Sequence, residues 1–102
     1  MIPQLTAESR VALSKIVEAH ADDYDGVDYP FCEEERIESE RIRQALKTLG
    51  FDVTLAGAAA IWEFYSRVAY QAQWMEGPRS AEAAQTSLIY FAQEVVDGEV
   101  KV

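Results

Sequence analysis

The sequence predicts an all-α protein, a small single-domain bundle of about four helices spanning residues 1–102. Three observations predict this class. Apolar residues recur three and four positions apart in four stretches, the spacing that places them on one helix face. Thr, Val and Ile do not alternate with polar residues over a strand's length. The 102 residues include only five Gly and three Pro, and 49% are hydrophobic, which is enough for one core and too apolar for a disordered chain.

The first helix is predicted near residues 7–21. Thr6 is a good N-cap, and Glu8 in the first turn favours the helix dipole. The apolar stripe of this helix consists of Leu13, Ile16, Val17 and His20. The Asp-rich stretch that follows favours a loop.

The second helix is predicted near residues 30–49, with an apolar stripe of Ile42, Ala45, Leu46 and Leu49. Gly50 stands where a helix ending in a left-handed residue needs glycine, and Phe51 follows in position to contact Leu46. These residues predict a Schellman ending. Thr54 then caps the next helix, so the second and third helices form a tight hairpin or corner.

The third helix is predicted near residues 55–76 and the fourth near 81–97, with Ser80 as N-cap of the fourth and Gly98 just past its end. The broad apolar arc of the third helix predicts that it is the central helix. That arc contains Ala58, Ile61, Trp62, Phe64, Tyr65, Val68, Ala69, Ala72 and Met75. The stripe of the fourth helix contains Ala84, Leu88, Phe91 and Val95.

The charge of the chain is concentrated in one segment. The formal net charge is −9, and residues 18–40 contain ten acids and the single base Arg36, while the rest of the chain is neutral. Clustered carboxylates oppose direct binding to nucleic acid and favour a protein with a basic surface as partner. The acidic residues predicted to bind such a partner are Asp22, Asp23, Asp25, Asp28, Glu33, Glu34, Glu35 and Glu38.

A simpler interpretation of the same charges is a solvated helix. Acids in its first turn and bases toward its end complement the helix dipole. The spacing also allows the ion pairs Arg36–Glu40, Glu38–Arg41 and Glu40–Arg43. This interpretation leaves the Asp cluster unexplained, so a functional acidic surface and a solubilising face both stay open.

No catalytic, cofactor or metal site is predicted. If Gly26 occupied the sixth place of an EF-hand loop, Ala21, Tyr29 and Cys32 would stand where ligands are required. Cys32 and His20 lie twelve positions apart across Asp-rich chain, and one Cys with one His makes no zinc site. The start of the third helix also lacks the side chains with which a recognition helix reads bases. We therefore expect a protein that is not an enzyme.

A second interaction surface is predicted on the polar side of the third helix. It comprises Glu63, Arg67, Tyr70 and Trp74. Tyr, Trp and Arg are enriched at interface hot spots, so this face predicts a partner contact or a homodimer. The alternative is that neighbouring helices cover it.

The sequence shows no apolar run of membrane-spanning length and no secretory signal pattern. Its single cysteine excludes an internal disulfide. These features favour a cytoplasmic protein without membrane contact.

The segment of residues 49–75 resembles small uncharacterised bacteriophage proteins, in which a helix ending in Leu-Gly leads through Val-Thr to a long Ala- and Trp-containing helix. The matching positions are Leu49, Gly50, Val53, Thr54, Trp62, Glu63, Tyr65, Ser66 and Trp74. The resemblance implies a phage or prophage accessory protein in the host cytoplasm, a group that includes acidic anti-CRISPR inhibitors of host defence. We expect inhibition of a nucleic-acid-handling or defence complex, or alternatively a homo-oligomeric phage structural or assembly protein.

Overall fold

A computed structural model describes residues 4–20, 32–69 and 78–100, and these residues form four α-helices. They are α1 (Ala7–His20), α2 (Glu33–Thr48), α3 (Leu55–Ala69) and α4 (Ala81–Val96). No strand occurs in the described ranges, and the predicted all-α bundle is confirmed. The predicted continuation of α1 to residue 21 and of α3 to residue 76 lies outside the described residues.

The four helices share one hydrophobic core, because α1 and α2 each pack against both α3 and α4. The stripes predicted for α1, α2 and α4 supply much of it. We expected α3 to be the central helix, but it shares that position with α4, whose Phe91 is the largest fully buried side chain. The core contains Leu13, Ile16, Ile42, Ala45, Leu46, Leu49, Ala58, Ile61, Phe64, Tyr65, Ala84, Leu88, Ile89, Phe91 and Ala92.

Aromatic contacts join three of the helices. Phe91 forms edge-to-face pairs with Phe64 and Tyr65, with ring centroids 6.0 and 4.8 Å apart. His20 of α1 stacks on Phe64 at 3.9 Å, and Trp62 packs against Tyr65 at 4.7 Å. Edge-to-face pairs are favoured by the ring quadrupole in addition to the area they bury. The row of rings therefore fixes where α3 presents Trp62.

Side-chain caps begin three helices where the sequence predicts them. The hydroxyls of Thr54 and Ser80 accept hydrogen bonds from the third backbone N–H of α3 and of α4 at 3.0 Å. Thr6 accepts from the Ser9 N–H at 3.1 Å, and the Ser9 hydroxyl accepts from the Thr6 N–H at 2.8 Å. This reciprocal pair satisfies two otherwise unpaired donors.

The predicted Schellman ending of α2 is present. Gly50 adopts a φ of 98°, the Phe51 N–H donates to the Leu46 carbonyl at 2.8 Å, and the Gly50 N–H donates to the Lys47 carbonyl at 3.0 Å. Only glycine reaches this backbone region without a Cβ clash. The ending turns the chain sharply into α3.

Arg10 of α1 holds this turn from outside. Its Nη1 donates to the Leu49 carbonyl oxygen at 2.7 Å, and its guanidinium carbon lies 5.9 Å from the centroid of the Phe51 ring. A cation at a helix C-terminus complements the dipole and satisfies a carbonyl left without an intrahelical partner. The contact thus ties α1 to the α2–α3 corner.

None of the helices in the described residues combines the length and the apolar character that crossing a membrane requires.

We predict that Gly50→Ala destabilises the fold more than Gly98→Ala does. Both glycines have positive φ, 98° and 81°, but a Cβ on Gly50 would lie 3.1 Å from Nη1 of Arg10, whereas one on Gly98 meets nothing within 4 Å. Left-handed backbone costs an ordinary residue about 1–2 kcal/mol, so we expect Gly98→Ala to lower the free energy of unfolding by about 1 kcal/mol. For Gly50→Ala we expect a loss of about 2–3 kcal/mol, because this change also disturbs the hydrogen bond from Arg10 to the Leu49 carbonyl. Urea unfolding measures both, and equal losses would contradict the role given to Arg10.

Candidate protein-binding surface

The first two turns of α2 present four glutamate carboxylates, with one exposed base, Arg36, among them. Glu33, Glu34 and Glu35 are exposed and Glu38 is half-buried. These four glutamates are called the α2 acidic surface below. The aspartates predicted to extend it, Asp22, Asp23, Asp25 and Asp28, lie outside the described residues.

The buried face of α2 fixes the direction of this surface. Ile42, Ala45 and Leu46 are at most 1% exposed and pack between α3 and α4. A helix that buries one face must turn the opposite face to solvent. The α2 N-cap, Cys32, makes no side-chain capping bond, so the three glutamates of the first turn supply the negative charge that the helix dipole favours there.

Only one of the three predicted ion pairs forms within the described residues, and it neutralises Glu40. Nε of Arg43 donates to Oε2 of Glu40 at 2.9 Å and Nη2 donates to Oε1. Arg41, which we expected beside Glu38, instead donates from Nη1 to the Pro78 carbonyl oxygen at 2.9 Å. That bond anchors the residues before α4 and takes a compensating cation away from the acidic surface.

The Glu40 carboxylate has a lowered pKa. The hydrogen bond from Arg43 is the main cause, and the hydrogen bond from Gln44 and the charges of Arg43 and Arg36 act in the same direction. Desolvation opposes the shift. The charged form is favoured because it accepts these bonds, so Glu40 is the neutralised boundary of the acidic surface.

We predict that Arg43→Gln raises the pKa of Glu40 toward its ordinary value, and that Arg36→Gln, the control, raises it less because Arg36 contributes only a weaker charge interaction. Because the folded-state pKa is depressed, the pair stabilises the fold above the unfolded pKa, and this contribution disappears as pH falls through the folded value. Carboxyl NMR titration measures the pKa, and urea unfolding at neutral and acidic pH measures stability. If the loss of unfolding free energy in Arg43→Gln is the same at acidic as at neutral pH, the Arg43–Glu40 pair is not the cause of that loss.

A groove of about 210 Å³ lies between α2 and α3, beside the acidic surface. Glu35 and Glu38 line it from α2, and Trp62 and Glu63 line it from α3. Its full lining in the described residues is Glu35, Glu38, Ser39, Ile42, Ala59, Trp62 and Glu63. The groove therefore brings together residues predicted to belong to two separate surfaces, because α2 and α3 pack side by side after their tight corner.

The second predicted surface is described only in part. Glu63 and Arg67 are exposed on α3, as its polar face requires. Tyr70 and Trp74 lie outside the described residues, so their part in an interface stays a prediction. Ser39 and Trp62 were not among the predicted site residues. Ser39 could have been noticed in the sequence, because it is a polar residue on the apolar face of α2, three positions before Ile42.

The residues considered for catalysis occupy unrelated settings. Cys32 is exposed at the start of α2, whereas His20 is half-buried and stacked on Phe64. In the ranges that the structure describes, no three His, Cys, Asp or Glu side chains are grouped as metal ligands.

The chain matches no protein-family model, no curated protein and no solved structure.

Proposed function

We propose that this protein is a non-catalytic binding protein whose acidic surface engages a basic surface on another protein. The observation that carries the proposal is the excess of negative charge at the start of α2, where four glutamates are accompanied by the single base Arg36. Three of its glutamates are exposed, while Arg41 and Arg43 on the same helix are engaged by the Pro78 carbonyl and by Glu40.

Charge complementarity supplies the mechanism. A dense carboxylate group steers toward lysine and arginine clusters and raises the rate of encounter. Such clusters line sites that hold nucleic-acid phosphates, so carboxylates in fixed positions can occupy them in competition with the phosphates. The partner class is a nucleic-acid-handling protein.

The resemblance of residues 49–75 to small bacteriophage proteins supports a phage or prophage accessory protein that acts in the host cytoplasm. An inhibitor of a host nucleic-acid-handling or defence complex, in the manner of anti-CRISPR proteins, is the role that fits an acidic surface of this kind. The protein itself would bind neither nucleic acid nor membrane.

We predict that replacing the four glutamates of the α2 acidic surface with Gln lowers retention of nucleic-acid-handling proteins in a pull-down from bacterial lysate at low salt. Exposed ion pairs contribute about 0.2–1 kcal/mol each, so four of them correspond to a loss of roughly four-fold or more in affinity. The same comparison with Asp22, Asp23, Asp25 and Asp28 changed to Asn tests the loop residues.

The control for this pull-down changes four acids outside the surface to their amides, namely Asp52, Glu82, Glu94 and Glu99. It has the same net charge as the first variant, so it separates a local surface from overall charge. Equal binding by all variants, or recovery of no nucleic-acid-handling protein by the native chain, would sink the proposal.

A second candidate function is a homo-oligomeric structural or assembly protein, and an apolar groove of about 380 Å³ between α1 and the end of α4 favours it. Val11 is 56% exposed and Val96 is 36% exposed. Glu8 and Lys15 flank Val11 on the same helix. The groove is lined by Glu8, Val11, Ala12, Lys15, Val95, Val96 and Val100.

The flanking charges suit a second copy of the chain. Glu8 and Lys15 lie at equal distances along α1 from the midpoint between Val11 and Ala12. If two copies of α1 pack antiparallel about a two-fold axis there, each Glu8 faces the Lys15 of the other copy, as an isologous contact requires. The exposed valines then become buried.

We predict that Lys15→Glu shifts a dimer toward monomer by about 10-fold in dissociation constant, because two favourable pairs become repulsive. The double variant Glu8→Lys with Lys15→Glu restores complementarity and with it the dimer. Light scattering at micromolar concentration gives the mass, with Trp74→Ala testing the other predicted interface. A native chain that is strictly monomeric rules out this second function.

A further inference from the structure

The α2–α3 groove combines negative charge, an aromatic ring and a buried hydroxyl. Glu35 and Glu38 lie one turn apart on α2 and contribute carboxylates. Across the groove α3 contributes the half-buried indole of Trp62. Indoles attract cations over the ring face, and carboxylates accept hydrogen bonds from them. The lining therefore favours a cationic ligand.

Ser39 provides an independent sign that the groove takes a polar ligand. The residue is only 5% exposed and lines the groove, and no hydrogen bond of its hydroxyl to another described residue is formed. In the same part of the chain no fully enclosed side-chain oxygen or nitrogen lacks a partner. The Ser39 oxygen is therefore not fully enclosed, and the groove is the opening that Ser39 lines. Buried hydroxyls are ordinarily hydrogen-bonded, so a partner entering the groove would satisfy it.

We propose that the groove is a binding site for one arginine side chain of the partner, an inference that rests on the proposed function and adds a residue-specific site to it. The guanidinium donates to Glu35 and Glu38, places one further N–H at the Ser39 oxygen and stacks beside Trp62. Ile42 and Ala59 contact its aliphatic stem.

Arginine fits this lining better than lysine does. The guanidinium is planar, carries five donors in a fixed arrangement and stacks on aromatic rings, whereas an ammonium is a compact, strongly hydrated charge. Three acceptors on α2, and on α3 a ring beside Glu63, match the planar group. The groove, at about 210 Å³, is also smaller than the roughly 300–1,000 Å³ of pockets that enclose drug-sized ligands, which is appropriate for a single side chain.

The test is an NMR titration of the full chain at low salt with three short peptides of Gly and Ser that carry one central Arg, Lys or citrulline. Citrulline keeps the shape of arginine and removes its charge. The Arg peptide is expected to shift the NMR signals of the Trp62 indole N–H and the Ser39 amide. The Lys peptide is expected to bind roughly three- to five-fold more weakly, and the citrulline peptide is expected not to bind. Shifts that avoid both reporters, or equal binding of citrulline, overturn the proposal.

Two double variants locate the site. Glu35→Gln with Glu38→Gln removes the groove carboxylates, and Glu33→Gln with Glu34→Gln makes the same charge change on the same helix outside the lining. We expect the change of Glu35 and Glu38 to weaken binding of the Arg peptide by roughly 10-fold. The change of Glu33 and Glu34 is expected to weaken it by less than about two-fold. Trp62→Phe is expected to reduce binding of the Arg peptide by roughly three-fold. Phenylalanine is chosen because it keeps a ring packed against Tyr65.

If the two double variants lose equal affinity for the Arg peptide, the groove is not an arginine site, and the proposal of a general acidic surface is unaffected. The proposed function is judged separately by a peptide of nine arginines. If that peptide binds with a steep salt dependence while the single-arginine peptide does not contact the groove, the surface is right and the site is wrong. If neither binds, both fail.

Discussion

The burial of one face of α2 is the constraint on which the rest of the molecule depends. Ile42, Ala45 and Leu46 lie between α3 and α4, and this packing leaves α2 a single rotation about its axis. A turn of the helix by one residue would expose part of the core and bury carboxylates, and burial of an uncompensated charge is far more costly than its exposure. The direction of the acidic surface is therefore a consequence of core packing and not of any attraction among the acids themselves.

The position of the other basic residues explains why the acids at the start of α2 have only Arg36 as a basic neighbour on their own turns. Arg10 and Arg41 donate to backbone carbonyls that end a helix or precede one, and Arg43 is paired with Glu40. The contacts of Arg10 and Arg41 each hold a junction between elements of the bundle, whereas Arg43 pairs within α2. The guanidinium groups thereby support the fold at its corners, while the first turns of α2 retain their negative charge. The start of α2 thus carries an excess of negative charge although the chain outside residues 18–40 is neutral.

The sequence was informative where structure is determined by near neighbours. Thr6, Thr54 and Ser80 cap their helices and Gly50 ends α2 because each acts on backbone groups three to five positions away. It was uninformative about contacts set by helix packing. Arg10 and the Leu49 carbonyl are 39 positions apart, and Arg41 and the Pro78 carbonyl are 37 apart; no periodicity contains such pairs. The groove is of the same kind, since Glu35 and Trp62 share it only through the packing of α2 on α3.

The acidic surface and the groove beside it would act at different stages of one encounter. Exposed carboxylates act over about a Debye length, roughly 8 Å at physiological salt, and mainly change how fast a basic partner arrives. A partly enclosed groove acts only on contact, where an indole, two carboxylates and a hydroxyl can discriminate one side chain from another and lengthen the life of the complex. Charge alone would attract any basic protein equally. Selectivity for one partner requires a short-range feature of this kind, and in the described part of the molecule the α2–α3 groove is where that feature adjoins the charge.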